Sequence, residues 1–179
     1  LARAAGERQT LGRQRLSASE GSMVIREFIP GSSERDLEQL LPAFLAIWNA
    51  PENLPFLSFS LRPFTPDLVR GWFEQHIAAG VRYFAALDES SAITAISVVR
   101  ADPIGVFELF AMAVRPDAQH QGVGRQLVAH ATDVARSQGF RCVEGAVFAD
   151  NPRMLRLLIA VGFQPIRMEY HRRADGADL

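Results

Sequence analysis

The stretch FELFAMAVRPDAQHQGVG, from Phe107 to Gly124, constrains the fold of this chain more than any other. Phe107, Leu109, Phe110, Met112 and Val114 form a nearly unbroken apolar run, which predicts a strand buried on both faces. Arg115-Pro116-Asp117 ends it, because Pro has no N–H for a ladder and a fixed φ. Gly122 and Gly124 come next, and an apolar helical pattern starts at once through Val123, Leu127, Val128, Ala131, Val134 and Ala135.

Glycines at a helix N-terminus remove side chains from the turn whose backbone N–H groups have no helical partner. Those donors and the positive end of the helix dipole make an anion site, to which Arg125 can add charge. The local chemistry thus fits a phosphate or pyrophosphate cradle; ordinary packing of a strand-to-helix turn fits it as well. Two known phosphate motifs fail. The P-loop requires lysine, and all nineteen Lys-plus-Arg residues here are Arg. The dinucleotide fingerprint requires a third Gly where Leu127 stands.

The 179 residues suggest one domain, about half hydrophobic. A net charge of −1 with interspersed signs calls for neither nucleic acid nor a charged membrane surface. No apolar run approaches the ~18 residues of a membrane span. Cys142, the only cysteine, excludes an internal disulfide and a cysteine zinc site and fits a reducing, cytoplasmic setting. No metal is expected. Residues 1–22 are polar, lack an apolar period, and read as a flexible or expression-derived tail before a single domain over 23–179.

In order, Val24 to Ile29 reads as a strand stopped by Pro30-Gly31. Ser33 caps a helix carrying Leu37, Leu40, Leu41, Phe44, Leu45 and Trp48, which Pro42 would kink or split. The aromatic, Pro-rich stretch 49–66 reads as an ordered loop that either packs under the sheet or lines a cleft. Thr65-Pro66-Asp67 opens a helix with Leu68, Val69, Trp72, Phe73 and Ile77 inward, ended by Gly80; His76 fits a core or boundary position better than a ligand. Val81–Leu87 and Ala92–Val99 form a hairpin, and Asp102-Pro103 turns into the central strand. Beyond the glycine-opened helix lie a strand over 141–148, a helix from Asn151-Pro152 with Leu155, Leu158 and Ile159 inward, Gly162, and a last strand over 164–170.

The order β-α-α-β-β-β-α-β-α-β is an α/β arrangement with a mixed sheet. Gln119, Gly122 and Gly124 form Gln-x-x-Gly-x-Gly, which resembles the acyl-CoA pyrophosphate signature of the GNAT N-acetyltransferase superfamily. Asn151 with Gly162-Phe163 resembles the family's helix that begins with Asn and closes in Gly-Phe. The resemblance covers about residues 23–171 and implies the GNAT fold: a central mixed sheet flanked by helices, with two parallel central strands, about 107–114 and 141–148, that splay at their C-terminal ends.

It also implies acetyl-CoA as acyl donor. The pantetheine arm would pair with backbone at Met112, Ala113 and Val114. A backbone N–H near Met112 would stabilise the thioester oxyanion. The pyrophosphate would sit on Gln119, His120, Gln121, Gly122, Val123, Gly124 and Arg125. Asn151 would position the pantetheine, or serve only as a helix cap. Glu108, six residues before Val114, has the offset of the general base in the histone-acetyltransferase branch; a salt bridge to Arg82 or Arg100 is the structural alternative. Glu144 on the adjacent strand is a second carboxylate in reach. Where the family often has a Tyr general acid, this chain has Leu158, so the thiolate leaves unaided or a group such as Tyr170 protonates it. The implied activity is N-acetyl transfer by direct attack of a primary amine, on a small molecule or peptide, with acyl-CoA binding without turnover as the rival. A homodimer stays open.

Overall fold

The computed structural model describes residues 2–4, 23–30, 33–102 and 105–179. The expected tail lies largely outside the described residues, as do Gly31 and Pro103 of two expected turns. The backbone of Ala2–Ala4 forms a short strand, β1.

The other strands are β2 (Val24–Phe28), β3 (Val81–Leu87), β4 (Ile93–Ala101), β5 (Val106–Val114), β6 (Cys142–Gly145) and β7 (Phe163–Pro165). The helices are α1 (Glu34–Trp48), α2 (Pro66–Ala78), α3 (Val123–Ser137) and α4 (Pro152–Ala160). One seven-stranded sheet runs β2-β3-β4-β5-β6-β1-β7. Its neighbours pair antiparallel except β5 and β6, which are parallel, so the sheet is mixed as expected.

Helix starts follow their capping chemistry. Ser33 Oγ accepts from the Asp36 N–H, and Thr65 Oγ1 from the Leu68 N–H, each satisfying one orphan donor. Pro42 does not split α1, which continues to Trp48. One face of the sheet is covered by α1 and α2 with an aromatic core: Phe44 stacks on Trp48 at 4.0 Å between centroids and meets Phe73 edge-on at 5.6 Å. The other face carries α3 and α4 over smaller side chains, among them Ala86, Ala95, Val99, Ala131 and Ala135.

Several expected boundaries move. The strand expected over 141–148 pairs only through Gly145, and the one expected over 164–170 ends at Pro165, which has no N–H to continue a ladder. Ile159 points outward; α4 turns Met154, Leu157 and Leu158 to the core. Leu68 and Ile77 are likewise exposed, leaving Val69 and Phe73 as the buried face of α2. β5 is not buried on both faces throughout: Phe110 is 49% exposed.

Candidate active site

The exposure of Phe110 marks where β5 changes neighbours. Val98 pairs with Ala111 but Val99 with Leu109, so Phe110 is the extra residue of a β-bulge. On the other edge, parallel pairing with β6 ends at Leu109 and Gly145. Gly145 fits there because a Cβ would stand 3.2 Å from the Leu109 carbonyl oxygen. Beyond this point β5 runs on to Val114 without β6 beside it, and the two central strands part.

The gap is a cleft of about 370 Å³. Its walls include Met112, Ala113 and Val114, Gln119 and His120 from the turn, Gly122 to Arg125 of α3, and Asn151. These are ten of the eleven residues the sequence motifs assign to the cofactor. The eleventh, Gln121, instead donates to the Asp117 carbonyl at 2.9 Å. Phe56 and Leu57 of the loop complete the wall, while Phe64 of the same loop is buried under the sheet, so that stretch does both things expected of it.

Backbone direction divides the β5 residues. The Arg115 N–H donates to the Thr94 carbonyl at 2.7 Å. By antiparallel alternation, Ala113 then turns its N–H and C=O to β4, whereas Met112 and Val114 turn theirs to the gap. Ala113 therefore walls the cleft without offering it hydrogen bonds. The Val114 carbonyl accepts from Asn53 Nδ2 at 3.0 Å and Gln119 Nε2 at 3.2 Å.

At the mouth, Gly122 holds a left-handed φ of 80° as the N-cap of α3 and provides no capping side chain. The first intrahelical bond runs from the Gln126 N–H to the Gly122 carbonyl, so the N–H groups of Val123, Gly124 and Arg125 have no helical acceptor. Gly124 is packed closely: a Cβ would meet Leu157 Cδ2 and Met112 Cε at 3.4 Å each. Free donors, a helix N-terminus and a groove kept open by glycine fit a pyrophosphate and its arm. Arg125, Arg153 and Arg156 add cationic charge to the rim.

Gln119 and Asn151 each have a second task. Gln119 Nε2 donates to Asn53 Oδ1 at 3.1 Å, and its Oε1 accepts from Arg153 at 2.9 Å. Asn151 Oδ1 accepts the Met154 N–H at 3.1 Å, so the residue caps α4 and lines the cleft at once. Asn53, which the sequence reading did not single out, is 8% exposed and also donates to the Ile47 carbonyl at 2.8 Å. It joins α1, the loop and the end of β5, with no sequence signal beyond a polar residue in an aromatic stretch.

Glu108 lies in the paired half of β5. Its carboxylate accepts from Arg100 at 2.6 and 3.1 Å across the β4–β5 ladder, and it does not line the cleft. Glu144 stands opposite it on β6. Arg82, the other partner considered for Glu108, binds Glu27 instead and holds that carboxyl below its usual range. His76 shares a hydrogen bond with the Tyr83 hydroxyl; burial, with the charge of Arg100, holds its imidazole below the ordinary value. Leu158 is 2% exposed and packed in the core. Tyr170 is not at the cleft, because its hydroxyl binds Asp178 at 2.7 Å and accepts from Arg172 at 3.0 Å.

Among the described residues, no helix is long and apolar enough to cross a membrane. A mycothiol acetyltransferase of Jonesia denitrificans is 37% identical over 109 residues, 60% of this chain; the match spans only 30% of that protein's length. The ribosomal protein bS18-alanine N-acetyltransferase of Escherichia coli K12 is 30% identical over 112 residues, 60% of this chain and 75% of that protein. The crystal structure of the ribosomal-protein-S18-alanine N-acetyltransferase from Escherichia coli shares the fold, with a TM-score of 0.64 at 22% identity over 88% of each chain. The phosphinothricin acetyltransferase of Sinorhizobium meliloti, solved in complex with AcCoA, has a TM-score of 0.65 at 18% identity, over 83% of this chain and 78% of that one. Residues 41–163, well over half of the chain, match the Acetyltransferase (GNAT) family, and the chain belongs to that family.

Proposed function

We propose that this protein is an acetyl-CoA-dependent N-acetyltransferase of the cytoplasm whose acceptor is a primary amine on a small molecule or peptide. The observation that carries the reading is the parting of β5 from β6 at Leu109 and Gly145, which opens a cleft onto an uncapped, glycine-opened helix N-terminus. The bound structure of a fold neighbour with AcCoA supports it.

When bound, acetyl-CoA supplies an activated acyl group. The backbone N–H groups of Val123, Gly124 and Arg125 hold the pyrophosphate, with the rim arginines adding charge. The Met112 C=O and the Val114 N–H, which both face the gap, would align the arm as a neighbouring strand would, leaving the Met112 N–H to polarise the acyl carbonyl. Much of the rate then comes from holding two reactants in line rather than from reactive side chains. Attack requires a neutral amine. Glu108 is the base in this reading, and because it stands outside the cleft lining it takes the proton through water.

The rival reading, acyl-CoA binding without turnover, draws support from Leu158, a buried apolar residue where the family often has a proton donor. Calorimetric titration with acetyl-CoA followed by CoA release against an amine panel separates the two. Binding with acceptor-dependent release supports the transferase, binding without release for any amine supports the module, and no binding contradicts both.

A further inference from the structure

Arg173 is the one charged side chain that is buried among the described residues, at 9% exposure. A small hairpin presents it: His171 and Leu179 exchange backbone bonds of 3.1 and 2.8 Å, and the Arg173 N–H donates to the Ala177 carbonyl at 3.0 Å. The guanidinium joins three separate segments. Nη1 donates to the Pro55 carbonyl at 3.0 Å and to Asp150 Oδ2 at 2.8 Å. Nε and Nη2 grip Asp175 at 3.0 to 3.2 Å, which orients the fork from within the hairpin.

The two remote partners are placed tellingly. Pro55 precedes Phe56 and Leu57, and Asp150 precedes Asn151; all three following residues line the cleft. One guanidinium therefore ties the loop wall to the α4 wall. Three further contacts support the same join. The Ala174 N–H donates to the Phe59 carbonyl at 2.8 Å, and the Phe59 ring lies 4.7 Å from that of Phe148 and 5.4 Å from that of His171.

We propose that Arg173 is a positioning residue that sets the spacing between the Phe56–Leu57 wall and the Asn151 wall of the cleft. The inference rests on reading the cleft as an acyl-CoA site. A planar fork suits the task, since it meets a carbonyl and two carboxylates from one rigid group. Lysine keeps the charge but cannot match that geometry.

The test compares wild type with Arg173→Gln, Arg173→Lys and Asp150→Ala, using CoA itself as the probe in calorimetry and hydrogen exchange of the free protein as a second readout. Arg173→Gln is expected to weaken CoA binding about tenfold, as a misplaced wall does. It should also speed exchange at the Asn53, Phe56, Leu57 and Ser58 amides, which are bonded within the loop, while α3 and the central strands keep their protection. Arg173→Lys should fall between the two. If Arg173→Gln does not fold, Asp150→Ala breaks one link at a more exposed site and should weaken CoA with melting nearly unchanged. Affinity within twofold of wild type together with unchanged loop exchange overturns the proposal. Exchange that rises uniformly across the sheet also overturns it, because Arg173 would then support the scaffold as a whole. If wild type binds no CoA, the acyl-CoA reading fails on its own, and the loop exchange alone decides the role of Arg173.

Discussion

The two halves of β5 have similar composition and opposite fates. Val106 to Leu109 is zipped on both edges, to β4 and to β6; Phe110 to Val114 keeps β4 and loses β6. Phe107 and Leu109 are buried in the α3–α4 core, whereas Met112 and Val114 face a cleft. Apolar character alone thus does not tell whether a strand edge is spent on a neighbour or kept for a ligand. The division is made by the bulge at Phe110 and by the glycine at 145. In this account the zipped half secures stability and the parted half secures binding.

Glu108→Gln strains that division most, because it asks the zipped half to contribute to the reaction. As the proposed base, its loss should lower kcat/KM by ~10²–10⁴-fold at neutral pH and weaken the acid limb of the pH–rate profile, with CoA affinity nearly unchanged. As the partner of a half-exposed Arg100 it should alter stability by only ~0.2–1 kcal/mol. A folded variant within about threefold of wild type, acid limb intact, removes Glu108 from the mechanism.

Phe107→Ala probes the zipped half directly. The ring is fully buried and packs on Phe140 at 5.4 Å between centroids. Urea unfolding should show a loss of ~3–5 kcal/mol, while the folded fraction keeps its CoA affinity. Gly145→Val, at the boundary, should be milder. Its Cβ falls 3.2 Å from a backbone oxygen, too near without a shift, so ~1–3 kcal/mol of stability should go. CoA binding should change with it, since the point of parting has moved; an unaltered affinity would show that the cleft does not depend on where β6 leaves.

A smaller effect concerns His76, whose ring meets that of Phe110 at 6.0 Å between centroids. Burial lowers its pKa in the fold, so the unfolded chain takes up the proton first. Its contribution to stability is complete above the ordinary imidazole value and is lost as the pH falls from that value toward the lower folded one. His130, also lowered by burial, acts in the same direction. Melting temperatures from pH 7.5 down to 5 should therefore fall, and His76→Asn should flatten part of the slope; an identical slope in the variant would contradict the assignment.

The elements and motifs were legible because their signals are local. Ser33, Thr65 and Asn151 cap helices as their positions suggest, and the Gln119–Gly124 pattern meets at one cleft. What was not legible depends on distant neighbours. The alternation in 141–148 is the same whether or not a partner strand stays alongside, and only Gly145 hinted at the break. Pro165 carried a similar hint for β7. Asn53 and Arg173 act through carbonyls remote in sequence, and no spacing rule marks them.

The central claim, that the parted half of β5 and the opened end of α3 form one acyl-CoA site, is tested most directly by titrating CoA into wild type and into Gly124→Val. The valine would crowd Met112 and Leu157 across the groove while leaving the zipped half untouched. The account predicts binding by wild type and an affinity lower by ~10-fold or more in a variant that remains folded. Equal affinity in the two proteins would contradict it.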